Sequence, residues 1–504
     1  MTQPNAQSHG FLRLLFCSVF GLAQVMALDA AVPLPFPLHA ITVGKETPRR
    51  ADYDAVRLAS YLSLREGLYQ KHSAGSPNDA RAIEYLRLWS EINTNPHSLI
   101  ATKELLSKAK FLLEGNCQDP LVKYFIALNY HDSEDLDTAI RILKRCVVQA
   151  EEGHYPAAFT YMCLKRLVSY HWEQGSWATG EYKEGPIPAD YLAAFKVATR
   201  RVLTEPTYDF FEGPRDLYAS IANTIGSSRV HAEKPFTGIV DVILEETGKA
   251  KPDWLTLTVR GSCFIEKAWQ VRGGGWANEV KDESWPQFHK YLDLARVSLE
   301  AAWAADHTRP EPAELMIAVC MAQESGQREE RYWFDQALTA ERDSNDAFEY
   351  LSFAWTPRWG GSLQMINDLG EEALVTKDFS SLLPMKYIDA VFMVQEDGMK
   401  FKDIEARKAQ DAFFKSASVF ARTKEVFEGY LMSDPNPAGD VKFLTFRYAF
   451  VTGYEQRHCQ FGLDVLKRNG MDYIHTSRHK ILGLTPADLY SNLESLSKAE
   501  EGKK

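Results

Sequence analysis

The residues whose types and spacing best suit ligand binding are two arginines embedded in glycine and tryptophan. Arg272 is followed by Gly273, Gly274, Gly275 and Trp276, and Arg358 lies in the run Pro357-Arg358-Trp359-Gly360-Gly361-Ser362. Glycines let successive backbone N–H groups converge into a nest for an anion, and a guanidinium beside an indole adds a cation and a flat apolar face. The second run also precedes a helix start, where backbone N–H groups favour negative charge. Arg272, Trp276, Arg358 and Trp359 are therefore the candidate ligand-binding residues. The competing structural reading gives the glycines to tight interhelical corners, the tryptophans to the core and the arginines to the capping of helix carbonyls.

Other chemistry is sparse. The chain has no G-x-G-x-x-G, P-loop, G-x-S-x-G or H-E-x-x-H run, so it lacks the local patterns of nucleotide, serine-hydrolase and zinc-protease sites. Asp132 to Asp137 is acidic but has neither the glycine nor the terminal glutamate of a calcium loop, and reads as a solvated turn. His475 and His479 are four apart, a spacing compatible with metal ligation, but no carboxylate or cysteine in register completes a site. His458 and Cys459 are sequence neighbours, which point apart on a helix. No catalytic, metal or cofactor-binding residue is assigned. Beyond Cys17, the six cysteines at 117, 146, 163, 263, 320 and 459 are irregularly spaced, without C-x-x-C. They read as small buried hydrophobes, with one disulfide between adjacent helices as the alternative.

The elements that must position these residues are helices. A chain of 504 residues, 45% hydrophobic and 25% charged, exceeds one ordinary core, whereas a solenoid grows by burying each repeat against its neighbours. The net charge of -11, with no Lys/Arg block, argues against nucleic acid as a partner. At the N-terminus, Arg13 precedes an uncharged apolar run from Leu14 to Leu28, and Val25-Met26-Ala27 offers small residues for cleavage after Ala27. Residues 1–27 thus read as a signal peptide and 28–50 as a proline-rich leader. This implies a periplasmic or secreted protein with no stable membrane span once the signal is removed.

Residues 51–203 carry helical spacing and form an N-terminal helical-repeat region. Its clearest unit starts at Pro120, with Ile126, Ala127, Tyr130, Ala139, Leu143 and Cys146 on the facing sides of two helices and Asp132-Ser133 as turn and cap. Another helix is expected over Tyr155 to His171, ended by a loop from Gly175. Residues 204–253 read as an irregular, aromatic-rich insertion. The region 254–482 resumes the helices. Phe288, Leu292, Ala295, Leu299 and Ala302 recur every three or four residues, as do Trp333, Phe334, Ala337 and Leu338. Asp343 to Asp346 reads as a turn and cap, and Ser362 as the cap of the next helix. One long helix runs from about Ile404, with Phe413, Ala417, Phe420, Phe427 and Leu431 on one face. Val441–Val451 and Tyr454–Lys467 make a last hairpin, and residues 483–504 are a polar tail, expected to fray after Ser495.

The segment from Pro120 to Glu151 resembles a tetratricopeptide repeat, whose period is about 34 residues. Trp269, Arg272-Gly273, Gly275, Trp276-Ala277, Phe288 and the Pro357–Ser362 run resemble an uncharacterised bacterial family of exported proteins with tetratricopeptide-like helices, over about residues 255 to 480. The resemblance implies a fold and no activity. The expectation is an all-α, tetratricopeptide-like α-solenoid of stacked helical hairpins: an exported scaffold for a protein or peptide partner, more a binding protein than an enzyme. An envelope enzyme or glycan-binding protein, its site at the Arg/Trp/Gly corners, is the alternative.

Overall fold

Apolar residues spaced three and four apart form helices wherever the chain is described. The structure is a computed structural model. It describes residues 41, 44, 46–73, 78–94, 102–133, 135–179, 189–204, 214–230, 237–275, 277–400, 403–434, 437–438, 440–477 and 479–501. Among these, every regular element is helical, and one isolated bridge pairs Ile481 with Leu484. The expected signal peptide, 1–27, lies outside the described residues. The chain divides into two compact units. One spans Tyr53–His307; the other holds Thr308–Lys504 and the segment ending at Asp52.

The first unit is built from α1 (Arg50–Ser73) beyond its first three residues, which belong to the other unit, and from α2 (Asp79–Thr94), α3 (Thr102–Glu114), α4 (Pro120–Asp132), α5 (Leu136–Glu152), α6 (Ala157–Thr179), α7 (Ala189–Thr204), α8 (Pro214–Val230), α9 (Thr237–Lys249), α10 (Trp254–Arg272) and α11 (Ser284–Ala305). Its principal packing pairs join helices one or two apart in sequence, the pattern of a helical-repeat stack. At its centre, α4 is buried from Pro120 to Tyr130 on every side. Asp119 starts it by accepting from the Val122 N–H at 2.8 Å, and α5 brings Ala139, Leu143 and Cys146 against it, all fully buried. The cap of α5 is Asp135, which accepts from the Thr138 N–H at 3.1 Å, not Asp132 or Ser133. Helices end here without glycine in the left-handed position: Asn116 (φ 57°) and His154 (φ 54°) occupy it after α3 and α5. The next N–H returns to the carbonyl five residues back, Cys117 to Leu112 at 3.0 Å and Tyr155 to Ala150 at 2.9 Å.

The second unit comprises α12 (Glu311–Ala322), α13 (Gln327–Ala340), α14 (Asn345–Ala354), α15 (Leu363–Val375), α16 (Lys386–Met399), α17 (Ile404–Phe414), α18 (Ala417–Leu431), α19 (Val441–Ala449), α20 (Cys459–Lys467), α21 (Met471–Thr476) and α22 (Pro486–Glu501). Here too the principal packing pairs are sequence neighbours or next-but-one neighbours. The helix buried all round is α12, and it also ends on a non-glycine left-handed residue, Glu324 (φ 54°).

Several sequence expectations need correcting. Residues 204–253 are not irregular where described, since α8 and α9 occupy most of them and bury Leu217, Ile221, Ile239 and Ile243. The division between units falls after His307, so α10 and α11 group with the helices before them. The helix α6 continues to Thr179, through the expected loop at Gly175. The long helix from Ile404 is two helices. Ser416 breaks it and caps α18, accepting from the Val419 N–H at 3.4 Å, and the core residue is Phe414 in place of Phe413. A π-turn, Phe450–Glu455, separates α19 from α20. Of the expected polar tail, residues 483–501 are described and pack: α22 is amphipathic, and its Leu489 and Leu493 are fully buried in the unit's core.

Candidate functional site

The first arginine corner ends α10. Asp253 and Thr256 start that helix with reciprocal bonds, Thr256 N–H to Asp253 Oδ1 at 2.7 Å and Asp253 N–H to Thr256 Oγ1 at 3.0 Å. At its other end Gly273 takes φ 77°, ψ 176°, a region essentially reserved for glycine. The Arg272 guanidinium donates to the Gly273 and Gly275 carbonyls at 3.1 and 3.0 Å. It lies 5.3 Å from the Trp269 ring centre and 5.4 Å from that of Trp285. Partial burial pushes its pKa down from the ordinary arginine value. The corner thus turns carbonyl oxygens toward the cation, the opposite of an N–H nest for an anion. Trp276 lies outside the described residues.

The second corner, a single turn of 3-10 helix at Pro357–Trp359, is half-buried in the other unit. Gly360 is left-handed (φ 85°). A Cβ on Gly361 would stand 2.1 Å from the Trp355 carbonyl oxygen, so only glycine fits. Ser362 caps α15 as expected, accepting from the Met365 N–H at 3.2 Å. Arg358 donates to Asp397 Oδ1 at 3.2 Å and to Thr356 Oγ1 at 3.3 Å, and it stacks 4.6 Å over Phe353. Trp359 is half-buried, its ring 6.1 Å from that of Phe353.

Behind this corner stand acids that sequence reasoning passed over. The fully buried Trp355 donates its indole N–H to Glu330 Oε2 at 3.1 Å. Burial pushes the Glu330 carboxyl up to about 7, and the indole hydrogen bond opposes the rise. The neighbouring Arg331, also buried, bridges Asp335 and Glu372, each at 2.9 Å. Burial raises Glu372 to about 7 as well, against the pull of Arg331. In the sequence, Glu329-Glu330-Arg331 looks like a solvated helix start. Only the turn of α13 against α15 shows that its second and third members face inward.

A second polar cluster lies at the turn between α13 and α14. Glu341, Arg342, Asp343 and Ser344 are all buried, although the pattern there predicts an ordinary surface turn. Ser344 caps α14, accepting from the Ala347 N–H at 3.1 Å, and donates to Glu314 at 2.6 Å. Arg342 donates to Ser380 Oγ at 3.1 Å and pairs with Asp378 at 3.4 Å. Asp343 accepts from two backbone N–H groups, those of Arg50 at 2.7 Å and Leu382 at 2.8 Å.

In the first unit, where Asp119, Glu246 and Glu266 are buried as well as Arg65 and Lys123, two basic groups are displaced from their ordinary pKa. Lys165 Nζ donates to the Ser220 carbonyl at 2.8 Å and to its hydroxyl at 3.1 Å. Burial, helped by Arg166, pushes the amine down to about 7. His131 lies beside Asp132 and Glu173, which raise it to about 9. It bonds Glu173 at 2.7 Å and stacks flat on Tyr170.

The remaining sequence candidates stay apart. The six described cysteines are buried thiols outside any disulfide. His475 lies in α21 and His479 beyond its end, bonded to Ser477 and Tyr473 at 2.8 and 3.1 Å. Among the described residues no three His, Cys, Asp or Glu side chains gather as a metal site, and no helix is long and apolar enough to cross a membrane. The chain matches no family model and no curated protein.

Proposed function

We propose that this protein is an exported helical-repeat scaffold that binds a protein or peptide partner without covalent chemistry. The observation that carries the reading is the use of both arginine corners as internal ties. Arg272 is engaged by two carbonyls and two indoles, and Arg358 by Asp397, Thr356 and Phe353. Residues spent on holding helices together leave the helical surface itself as the functional feature, and stacked hairpins offer extended, rigid surfaces of that kind. The apolar run from Leu14 to Leu28 supports export, and the resemblance over 255–480 agrees with it.

The test is capture of the tagged, mature protein crosslinked in its native cell, with envelope and cytosolic fractions kept apart. One dominant protein partner in the envelope fraction, retained by the double variant R272A/R358A, is the expected result. Retention on purified cell-wall glycan instead, lost in the same variant, would overturn the scaffold and install the corners as a glycan site.

A further inference from the structure

The second unit is discontinuous in sequence: it takes in residues up to Asp52 and then resumes at Thr308. What joins the two pieces is a short strap. Pro48 has no N–H to satisfy and offers its carbonyl, which accepts from the Arg342 N–H at 3.1 Å. The Arg49 N–H is taken by Asp52 Oδ2 at 2.8 Å, and the Arg49 side chain pairs with the same carboxylate while donating to the Ser380 carbonyl at 2.7 Å. The Arg50 N–H is one of the orphan donors that begin every helix. It goes to Asp343, 293 positions along the chain. A carboxylate at a helix start also complements the helix dipole.

Asp343 is thus a cap supplied from another element. Its second oxygen holds the Leu382 N–H, so one fully buried carboxylate ties the strap, the α13–α14 turn and the segment before α16. Removing the strap would leave that carboxylate short of one of its two donors and the Arg342 N–H without its acceptor, each a penalty larger than the net worth of a single hydrogen bond.

We infer that residues 48–52 are a clasp completing the second unit, with Asp343 as its anchor, and that N-terminal processing must stop short of Pro48 for this unit to keep its fold. Cleavage after Ala27 satisfies that limit. The clasp is independent of whatever partner the scaffold binds.

Hydrogen exchange read by mass spectrometry tests this on three chains: the whole protein, a chain starting at Gly44 and a chain starting at Tyr53. The Gly44 chain should match the whole protein. In the Tyr53 chain, peptides covering 341–346 and 378–384 should exchange about tenfold faster or more, while the α4–α5 hairpin stays protected. Unchanged exchange at both segments would overturn the clasp. If the Tyr53 chain fails to fold, seen as loss of protection in α4–α5 as well, the full-length variant Asp343→Asn decides. It keeps the volume but has one acceptor oxygen in place of two, so exchange should rise at Arg50 or at Leu382. No rise at either sinks the proposal.

Discussion

The two arginine corners look alike in sequence and differ in what holds them. At Arg272 the glycine is needed for its dihedral angles: a Cβ on Gly273 would meet nothing within 4 Å, but φ is 77°. At Arg358 the decisive glycine, Gly361, is needed for space, because the Trp355 backbone occupies the place of its Cβ. The first arginine is held by local carbonyls and two half-buried indoles. The second reaches a buried aspartate 39 positions away, and Trp355, just before the corner, donates to the buried Glu330. One corner is local and near the surface; the other is a junction between helices. Equal composition therefore says little about energetic weight, which depends on how many distant groups the corner ties together.

Substitution should separate the corners most at their glycines. Gly361→Ala forces backbone against Cβ and should cost about 3 kcal/mol, read as loss of the second unit's transition in urea unfolding. Gly273→Ala should cost nearer 2 kcal/mol, from strained dihedrals alone. Equal losses would break the distinction.

Next in size is the buried acid. Glu330 has a folded pKa raised to about 7, above its unfolded value. Its penalty is therefore full above pH 7 and is lifted as pH falls toward 4.5. Glu330→Gln keeps an acceptor for the Trp355 indole and removes the charge. It should stabilise the second unit by about 2 kcal/mol at pH 8 and by less than about 1 kcal/mol at pH 5, measured by denaturant midpoints at the two pH values.

The first unit should respond in the other sense. Lys165 has its folded pKa lowered to about 7, so its penalty is full below pH 7 and is lifted as pH rises toward the ordinary lysine range. Lys165→Met should stabilise that unit by about 1 kcal/mol at pH 6, a gain that shrinks by pH 10. The same direction of pH dependence for both variants would mean that Glu330 and Lys165 are not penalised in opposite charge states.

The smallest contrast is between the arginines. Arg358→Ala uncovers Asp397, which keeps only Lys400 at 3.0 Å of its two cationic partners, and should cost about 2 kcal/mol. Arg272→Ala removes bonds to partly solvated carbonyls and should cost about 1 kcal/mol, both read as shifts in thermal midpoint.

Much of the architecture was legible in the sequence. Ala127, Ala139, Leu143, Phe288, Leu299, Phe334 and Ala337 fall at helical spacing and all prove buried, because period and apolarity are local properties that fix which face turns inward. Ser362 was legible as a cap for the same reason. Other features were hidden. The expected insertion over 204–253 holds two helices where described, with Leu217 and Ile221, and Ile239 and Ile243, buried at four-residue spacing. Ser416 splits the helix from Ile404 because a serine inside a periodic run caps or continues a helix according to what its neighbours pack against. The tail helix α22 looked polar because only one face of it, through Leu489 and Leu493, meets the core.

By itself, then, the sequence determined that this chain is a set of amphipathic helices, where most of them begin and end, and which apolar residues they bury. These follow from dihedral preference, capping and period, all acting within a few residues. Only the tertiary structure decided which charges are buried. Glu330, Arg331, Asp343 and Lys165 carry no local mark, since a charged side chain on a helix or turn reads as solvated until another element covers it. Each has a partner 25 to 293 positions away, and the cost of burial falls on a residue only when the fold brings such partners to it.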